Sequence, residues 1–185
     1  MDRSILDKAS ALQQEFRKVE SRETLWNTTV MQLIKDQLEV FAKADHGLGC
    51  FVQASVIRGE AFVQLQLRNQ ATANNPDQHR RGGILSYNLK YNGKVLVIIA
   101  FPYIKGQVQQ IPPITVGESS IEPEEINKEL IWGHIDVFLE KMSHWQSGNL
   151  VSLGLKTSTF WKGDGSWASV GGDKVLITDD PRGDV

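Results

Sequence analysis

Residues 84–101 read ILSYNLKYNGKVLVIIAF, and this stretch predicts the centre of the fold. Two runs with the residue types of β-strands flank Asn92-Gly93, a dipeptide that favours the tight type I′ turn of a β-hairpin. The second run, VLVIIAF, is apolar on both faces, as expected for a strand with neighbours on both sides. Pro102 ends this run, because proline has no amide hydrogen to donate to a partner strand. We therefore expect an antiparallel hairpin in the middle of a sheet.

Further strands are predicted on both sides of this hairpin. Residues 50–57 and 61–68 alternate in polarity around Gly59-Glu60, which predicts a second hairpin. Trp161 and Trp167 flank a glycine-rich turn in the C-terminal part, where they could pair across two strands. Three short strand segments are predicted there, the second of them a tight hairpin: residues 150–157, 159–168 and 174–178.

The first 44 residues show a helical repeat of apolar side chains. Alternate steps of four and three residues from Ile5 meet an apolar side chain at all but two positions, Glu23 and Gln37. This is the spacing of a coiled-coil seam. No proline or glycine precedes Gly47, so one long helix or two nearly collinear helices fit, with a break expected at residues 21–24. The seam comprises Ile5, Ala9, Leu12, Phe16, Val19, Glu23, Trp26, Val30, Leu33, Gln37, Val40 and Ala44.

The apolar stripe of this segment is narrow in its first half and wide in its second. A narrow stripe flanked by charges, as in residues 5–19, suits a partner helix, whereas the stripe of residues 26–41, widened by Met31, Ile34, Leu38 and Phe41, suits packing on a sheet. We therefore predict that residues 26–41 belong to the core. The first half either crosses the domain or reaches another protomer, and in the second case residues 1–22 form a protruding helical arm. The interface candidates are Ile5, Leu12, Phe16 and Val19.

A second helix is predicted over residues 123–146. Pro123 suits a first helical turn, and Ser147-Gly148-Asn149 would end the helix. The order helix, hairpins, helix and strands is typical of an α+β fold, with both helices on one face of a mainly antiparallel sheet of about five to seven strands. We expect residues 1–185 to form a single domain with a frayed tail at residues 179–185.

Composition and charge argue against several classes of protein. The chain has 185 residues, and 20 Lys and Arg against 22 Asp and Glu give a net charge of −2. Such a balance provides no overall attraction to nucleic acid, which is therefore not an expected partner. The start lacks a secretory signal, and the longest apolar run is too short for a membrane helix. We expect a cytoplasmic protein with no membrane partner.

The motifs of common enzymes and metal proteins are absent from the sequence. The chain has one cysteine, Cys50, so neither an intramolecular disulfide nor a cysteine-based zinc site can form. Phosphate-binding glycine loops, the serine-hydrolase elbow and the HExxH zinc motif do not occur. We therefore assign no catalytic, cofactor-binding or metal-binding residue and favour a non-catalytic protein.

Histidine and arginine side chains provide the candidates for a pocket. His134 is surrounded by apolar residues on the helical wheel, so it should be buried. There it would either hydrogen-bond a strand backbone or a tyrosine, or serve a pocket as a ligand-binding or proton-transferring group. His79, Arg80 and Arg81 form a basic cluster that could bind a phosphate or carboxylate, or could remain a solvated loop.

Two functional hypotheses follow from these observations. The first is a non-catalytic adaptor or chaperone-like protein that docks a protein partner, or itself as a homodimer, through its N-terminal amphipathic helix. The alternative is a small-molecule-binding protein or enzyme with a pocket between the sheet and the second helix, near His134. No cofactor is expected.

Overall fold

The structure is a computed structural model that describes residues 3–69, 82–102, 111–117, 120–147, 158–161 and 167–170. The helices are α1 (Arg3–Leu25), α2 (Met31–Lys43) and α3 (Lys128–Gln146). The strands are β1 (Val52–Arg58), β2 (Phe62–Asn69), β3 (Gly82–Leu89), β4 (Val95–Ala100), β5 (Ile114–Thr115), β6 (Ser158–Trp161) and β7 (Trp167–Val170). The strands predicted at residues 150–157 and 174–178, and the tail at residues 179–185, lie outside the described residues.

A five-stranded antiparallel sheet forms the centre of the fold. Its strand order is β1-β2-β3-β4-β5, so strands that follow each other in the sequence also pair in the sheet. Leu65, Leu85 and Ile99 pair across the three middle strands in one row, and all three are fully buried. The apolar strand β4 has partners on both sides, as predicted. With helices on this sheet, the fold is α+β.

Helices α2 and α3 cover one face of the sheet. Helix α2 packs on β1 and β2, while α3 packs on β3 and on α2. A side chain on Gly83 of β3 would collide with Met142 of α3, so this glycine allows the helix to approach the strand closely. The indole Nε1 of Trp132 donates to Gln37 Oε1 at 3.0 Å, so the polar seam residue Gln37 joins the two helices.

Helices α1 and α2 form one continuous run with a π-helical turn, Trp26–Val30, between them. The break expected at residues 21–24 is therefore wrong, because α1 passes through them. The irregularity lies just after them, where Thr28 Oγ1 donates to the Thr24 carbonyl at 2.8 Å. The π-helical turn does not end the helix, because α2 follows it directly.

The π-helical turn shifts the core face by one residue along the sequence. A π-bulge adds one residue to a helical turn. After the bulge, the residues that point to a given face therefore come one position later in the sequence. Val40 lies on the seam predicted from sequence, yet it is 55% exposed. The buried residues of α2 each follow a seam position by one: Met31, Ile34, Leu38 and Phe41. Residues 26–41 contribute to the core, as predicted: Trp26 and Val30 of the seam are buried, and so are these four residues, which widen the stripe beyond the seam.

Helix α3 begins later than predicted. Pro123–Glu125 form a separate 3-10 turn, and the α-helix starts at Lys128. Asn127 caps it, because its Oδ1 accepts a hydrogen bond from the Leu130 amide at 2.9 Å. An asparagine cap satisfies an amide that has no partner within the helix, so this residue sets the boundary.

The turn between β3 and β4 also differs from the prediction. The Gly93 amide donates to the Lys90 carbonyl at 2.9 Å, and the Lys90 amide donates to the Lys94 carbonyl at 2.8 Å. These bonds enclose a three-residue loop, so the predicted two-residue type I′ turn is wrong. Gly93 ends the loop with a φ of 75°.

Strands β6 and β7 form a two-stranded antiparallel sheet. This pairing confirms the hairpin predicted within residues 159–168. Its register places Trp161 opposite Trp167. The two tryptophans therefore occupy facing positions on neighbouring strands, as their spacing about the turn suggested.

Candidate functional site

The N-terminal part of α1 extends beyond the body of the protein, by which we mean the five-stranded sheet with α2 and α3 on one face. Residues 4–18 are all exposed, and at 1.5 Å per residue they span about 22 Å of helix. We call residues 4–18 the arm. Burial begins at Val19, which is half-buried, and is complete at Trp26. The arm is thus continuous with a core helix but lies outside the core.

The arm exposes large apolar side chains on one side. Ile5 is 57% exposed, Leu12 53% and Phe16 59%. Leu6, which the sequence analysis did not select, is 48% exposed and lies next to the seam. Single exposed apolar residues are ordinary on a protein surface, whereas a contiguous stripe of them marks a site of interaction. Three of the four interface candidates lie in the arm, and Val19 lies in residues 19–22, which we call the root of the arm.

Arg22 attaches the root of the arm to the body. Its Nη2 donates to Glu122 Oε1 at 2.8 Å, its Nε donates to Glu122 Oε2, and Lys94 Nζ lies 2.7 Å from the same Oε1. The Lys94 ammonium and the Arg22 guanidinium lower the pKa of the Glu122 carboxyl. Because a bidentate arginine–carboxylate pair is directional, it fixes the root against the turn that precedes α3.

The β3–β4 loop contacts the same root. Arg22 Nη1 donates to the Asn92 carbonyl at 3.3 Å. A Cβ added at Gly93 would lie 2.7 Å from the Arg22 Cβ and 3.1 Å from the Val19 carbonyl oxygen. Helix and loop are therefore in close contact here. These contacts join residues about 70 to 100 positions apart, and sequence reasoning had no local signal for them.

Charged side chains flank the apolar seam of the arm. Lys18 Nζ donates to Glu15 Oε1 at 2.7 Å along the exposed helix surface. The hydrogen bond and the charge of Lys18 lower the pKa of the Glu15 carboxyl. Lys8 lies two helical turns before Glu15, on the same side of the seam. The arm therefore has one positive and one negative group along one edge.

His134 lies in the core, as predicted. It is 7% exposed, and its Nδ1 shares a 3.1 Å hydrogen bond with the Tyr87 hydroxyl of β3. A tyrosine was one of the partners that the sequence left open. Burial lowers the pKa of His134 and raises the pKa of Tyr87. Both groups are thus neutral at pH 7, and the bond joins α3 to the sheet.

An open depression lies beside the π-helical turn, away from His134. It has a volume of about 460 Å³ and lies between the helix and the β1–β2 turn. Arg58 is one of its lining residues, and the Arg58 guanidinium donates to Gln32 Oε1 at 3.3 Å. The lining comprises Asn27, Met31, Arg58, Gly59 and Glu60. His134 is not part of this lining, so the depression is distinct from the pocket suggested by sequence.

The remaining pocket candidates, His79, Arg80 and Arg81, lie outside the described residues. Within the described ranges, no group of three or more His, Cys, Asp and Glu side chains could hold a metal ion. In the same part of the chain, no helix is long and apolar enough to cross a membrane. Comparisons of the chain with protein-family models, curated proteins and solved structures found no match.

Proposed function

We propose that this protein is a non-catalytic interaction protein that docks a partner helix along its arm. The observation that supports this most is the run of exposed helix over residues 4–18, with an apolar seam on one side and a root fixed by Arg22. A helix that served only the core would be expected to end where the core ends. This one continues for about 22 Å beyond it.

The exposed seam gives docking a favourable free energy. Burying one Leu, Ile or Phe side chain completely contributes about 1.5–3 kcal/mol. Ile5, Leu12 and Phe16 are each more than half exposed, so a partner helix would recover a substantial part of that value at each position. Part of this gain is offset by the lost freedom of the two molecules. The expected complex is therefore of moderate affinity.

The fixed root lowers the cost of docking. An isolated helix of this length is marginal in water, because its first turn is costly to form. Here the arm extends a helix that Trp26 and the following core residues already stabilise. The arm therefore forms by extension of an existing helix, and no costly first turn has to form when a partner binds. A preformed helix loses less conformational entropy on binding than a disordered segment does.

The test substitutes two neighbouring exposed positions of the arm. Phe16→Glu places a charge in the seam, whereas Arg17→Glu places one on the adjacent surface outside it. Complex formation by the purified full chain, with itself in sedimentation velocity and with other proteins in affinity capture, should be lost in Phe16→Glu. It should persist in Arg17→Glu. Equal behaviour of Phe16→Glu and the unsubstituted chain in both assays would contradict the proposal.

A further inference from the structure

We propose that the partner of the arm is the arm of a second copy of this chain, paired with it in antiparallel orientation. This inference rests on the proposed docking function and names its occupant. The volumes of the seam residues and the charges beside them support this pairing. In the seven-residue notation of coiled coils, Ile5 and Leu12 occupy position d, Ala9 and Phe16 position a, and Lys8 and Glu15 position g.

The volumes of the seam residues fit the antiparallel arrangement. Antiparallel pairing places each a residue opposite a d residue, so that Ile5 faces Phe16 of the second copy and Ala9 faces Leu12. Every layer then has at least one large side chain. In a parallel pair, identical residues would face each other, and Ala9 opposite Ala9 would leave a gap beside the bulky Phe16 layer. Cavities and overpacking both cost stability, so even layers are favoured.

The charges beside the seam distinguish the two orientations more sharply. In antiparallel pairs, g positions face g positions, so Lys8 of each copy faces Glu15 of the other. In a parallel pair, each g position faces the e position five residues later on the other copy. Glu15 of each copy would then face Glu20 of the other, which makes two such contacts. Charges at e and g set the orientation of coiled coils. The antiparallel pair has two attractive contacts where the parallel pair has two repulsive ones.

The local geometry of Glu15 is compatible with this pairing. Its Oε1 accepts from Lys18 on the same helix at 2.7 Å. A carboxylate has a second oxygen and accepts from more than one donor, so Lys8 of the second copy can approach as well. The pairing extends from Ile5 to Phe16, and burial in each body begins at Val19. The two bodies would therefore lie at opposite ends of the helix pair.

Charge reversal on the full chain tests the inference by sedimentation equilibrium at low ionic strength. Lys8→Glu alone and Glu15→Lys alone should each raise the dimer dissociation constant roughly tenfold, because two attractive contacts become repulsive. An equimolar mixture of the two variants should recover the affinity of the unsubstituted chain. In the mixed dimer, the introduced carboxylate of one variant faces the introduced ammonium of the other, and the retained Glu15 faces the retained Lys8. Arg17→Glu makes the same charge change as Lys8→Glu, but at position b, on the side of the helix away from the pairing, so it should leave the dissociation constant unchanged.

Other outcomes overturn the inference in identifiable ways. Tighter self-association of Glu15→Lys would indicate a parallel pair, because the introduced ammonium would then attract Glu20 of the second copy. A monomeric unsubstituted chain at high concentration would show that the occupant is not a second copy. If either result accompanies seam-dependent binding to another protein, the proposed docking function stands and only this inference fails. If Phe16→Glu affects no binding at all, the docking function itself fails.

Discussion

The hydrogen bond between Tyr87 and His134 connects the middle strand of the sheet to α3 within the core. Both partners are buried, so water cannot replace either of them without cost. A neutral imidazole suits this position, since burial without a carboxylate partner disfavours the charged ring. His134 thus forms the tyrosine hydrogen bond that was one of the predicted roles of a buried histidine here.

This burial predicts a pH dependence of stability. The unfolded chain protonates His134 near its ordinary pKa of about 6.5, whereas the folded chain resists protonation until lower pH. Its contribution is therefore fully present above about pH 6.5 and falls as the pH drops, by at most about 1.4 kcal/mol per pH unit. Urea unfolding at pH 7.5 and 5.5 measures this loss.

The control for this prediction is His134→Gln, which keeps a polar partner for Tyr87 but does not titrate. The difference in unfolding free energy between the two pH values should be smaller in the variant than in the unsubstituted chain. The remaining histidines are common to both proteins, so they cancel in the comparison. Identical pH dependence in the two proteins would show that His134 titrates equally in the folded and unfolded states.

At the scale of secondary-structure elements, the contact between α1 and the β3–β4 loop orients the arm. Gly93 has a positive φ and lies close against the Arg22 and Val19 positions of the helix. Arg22 also forms the bidentate pair with Glu122. A loop, a helix and a 3-10 turn therefore meet at one point, just where the arm leaves the body.

Gly93→Ala should destabilise the protein more than Gly117→Ala. Both glycines have positive φ, 75° and 82°, so each alanine incurs a backbone cost of about 1 kcal/mol. Only at Gly93 does the added methyl meet the helix, for a further cost of about 1–3 kcal/mol; at Gly117 no described atom lies within 4 Å. Chemical denaturation measures both variants. Equal losses would mean that the helix and loop are not in close contact.

On the scale of the whole molecule, the structure separates a packed body from an exposed arm. The body contains the five-stranded sheet with α2 and α3 on one face, and its buried residues form one cluster. Residues 4–18 contribute no side chain to that cluster. The buried residues that stabilise the fold therefore lie in the body, and the proposed docking surface lies outside it.

Deleting residues 1–18 should leave a folded body. The deletion removes exposed residues but keeps Arg22, Trp26 and the whole core cluster. Circular dichroism should show a cooperative thermal transition in the truncated chain, while sedimentation should show the loss of self-association. A truncated chain that no longer unfolds cooperatively would mean that the arm is part of the folding unit. A folded truncation with undiminished self-association would place the interface outside the arm.

Periodicity made much of this architecture predictable. Alternation along strands and the helical repeat are local properties, so residues 84–101 predicted their hairpin and residues 5–19 their helical apolar seam. His134 was predicted to be buried for the same reason, since its neighbours on the helical wheel are apolar. For the candidate site, the sequence thus identified the helix and most of its apolar residues. It did not identify the contacts that hold the root.

The tertiary structure alone decided the features that depend on distant residues. Tyr87 became the partner of His134, and Glu122 the partner of Arg22, because the fold brings β3 to α3 and α1 to the turn before α3. The one-residue shift at Trp26–Val30 arose in the same way. There the helix must present its wide apolar face to the sheet, and this packing outweighs the regular repeat. Local patterns specify which face is apolar, whereas long-range contacts decide which residue meets which.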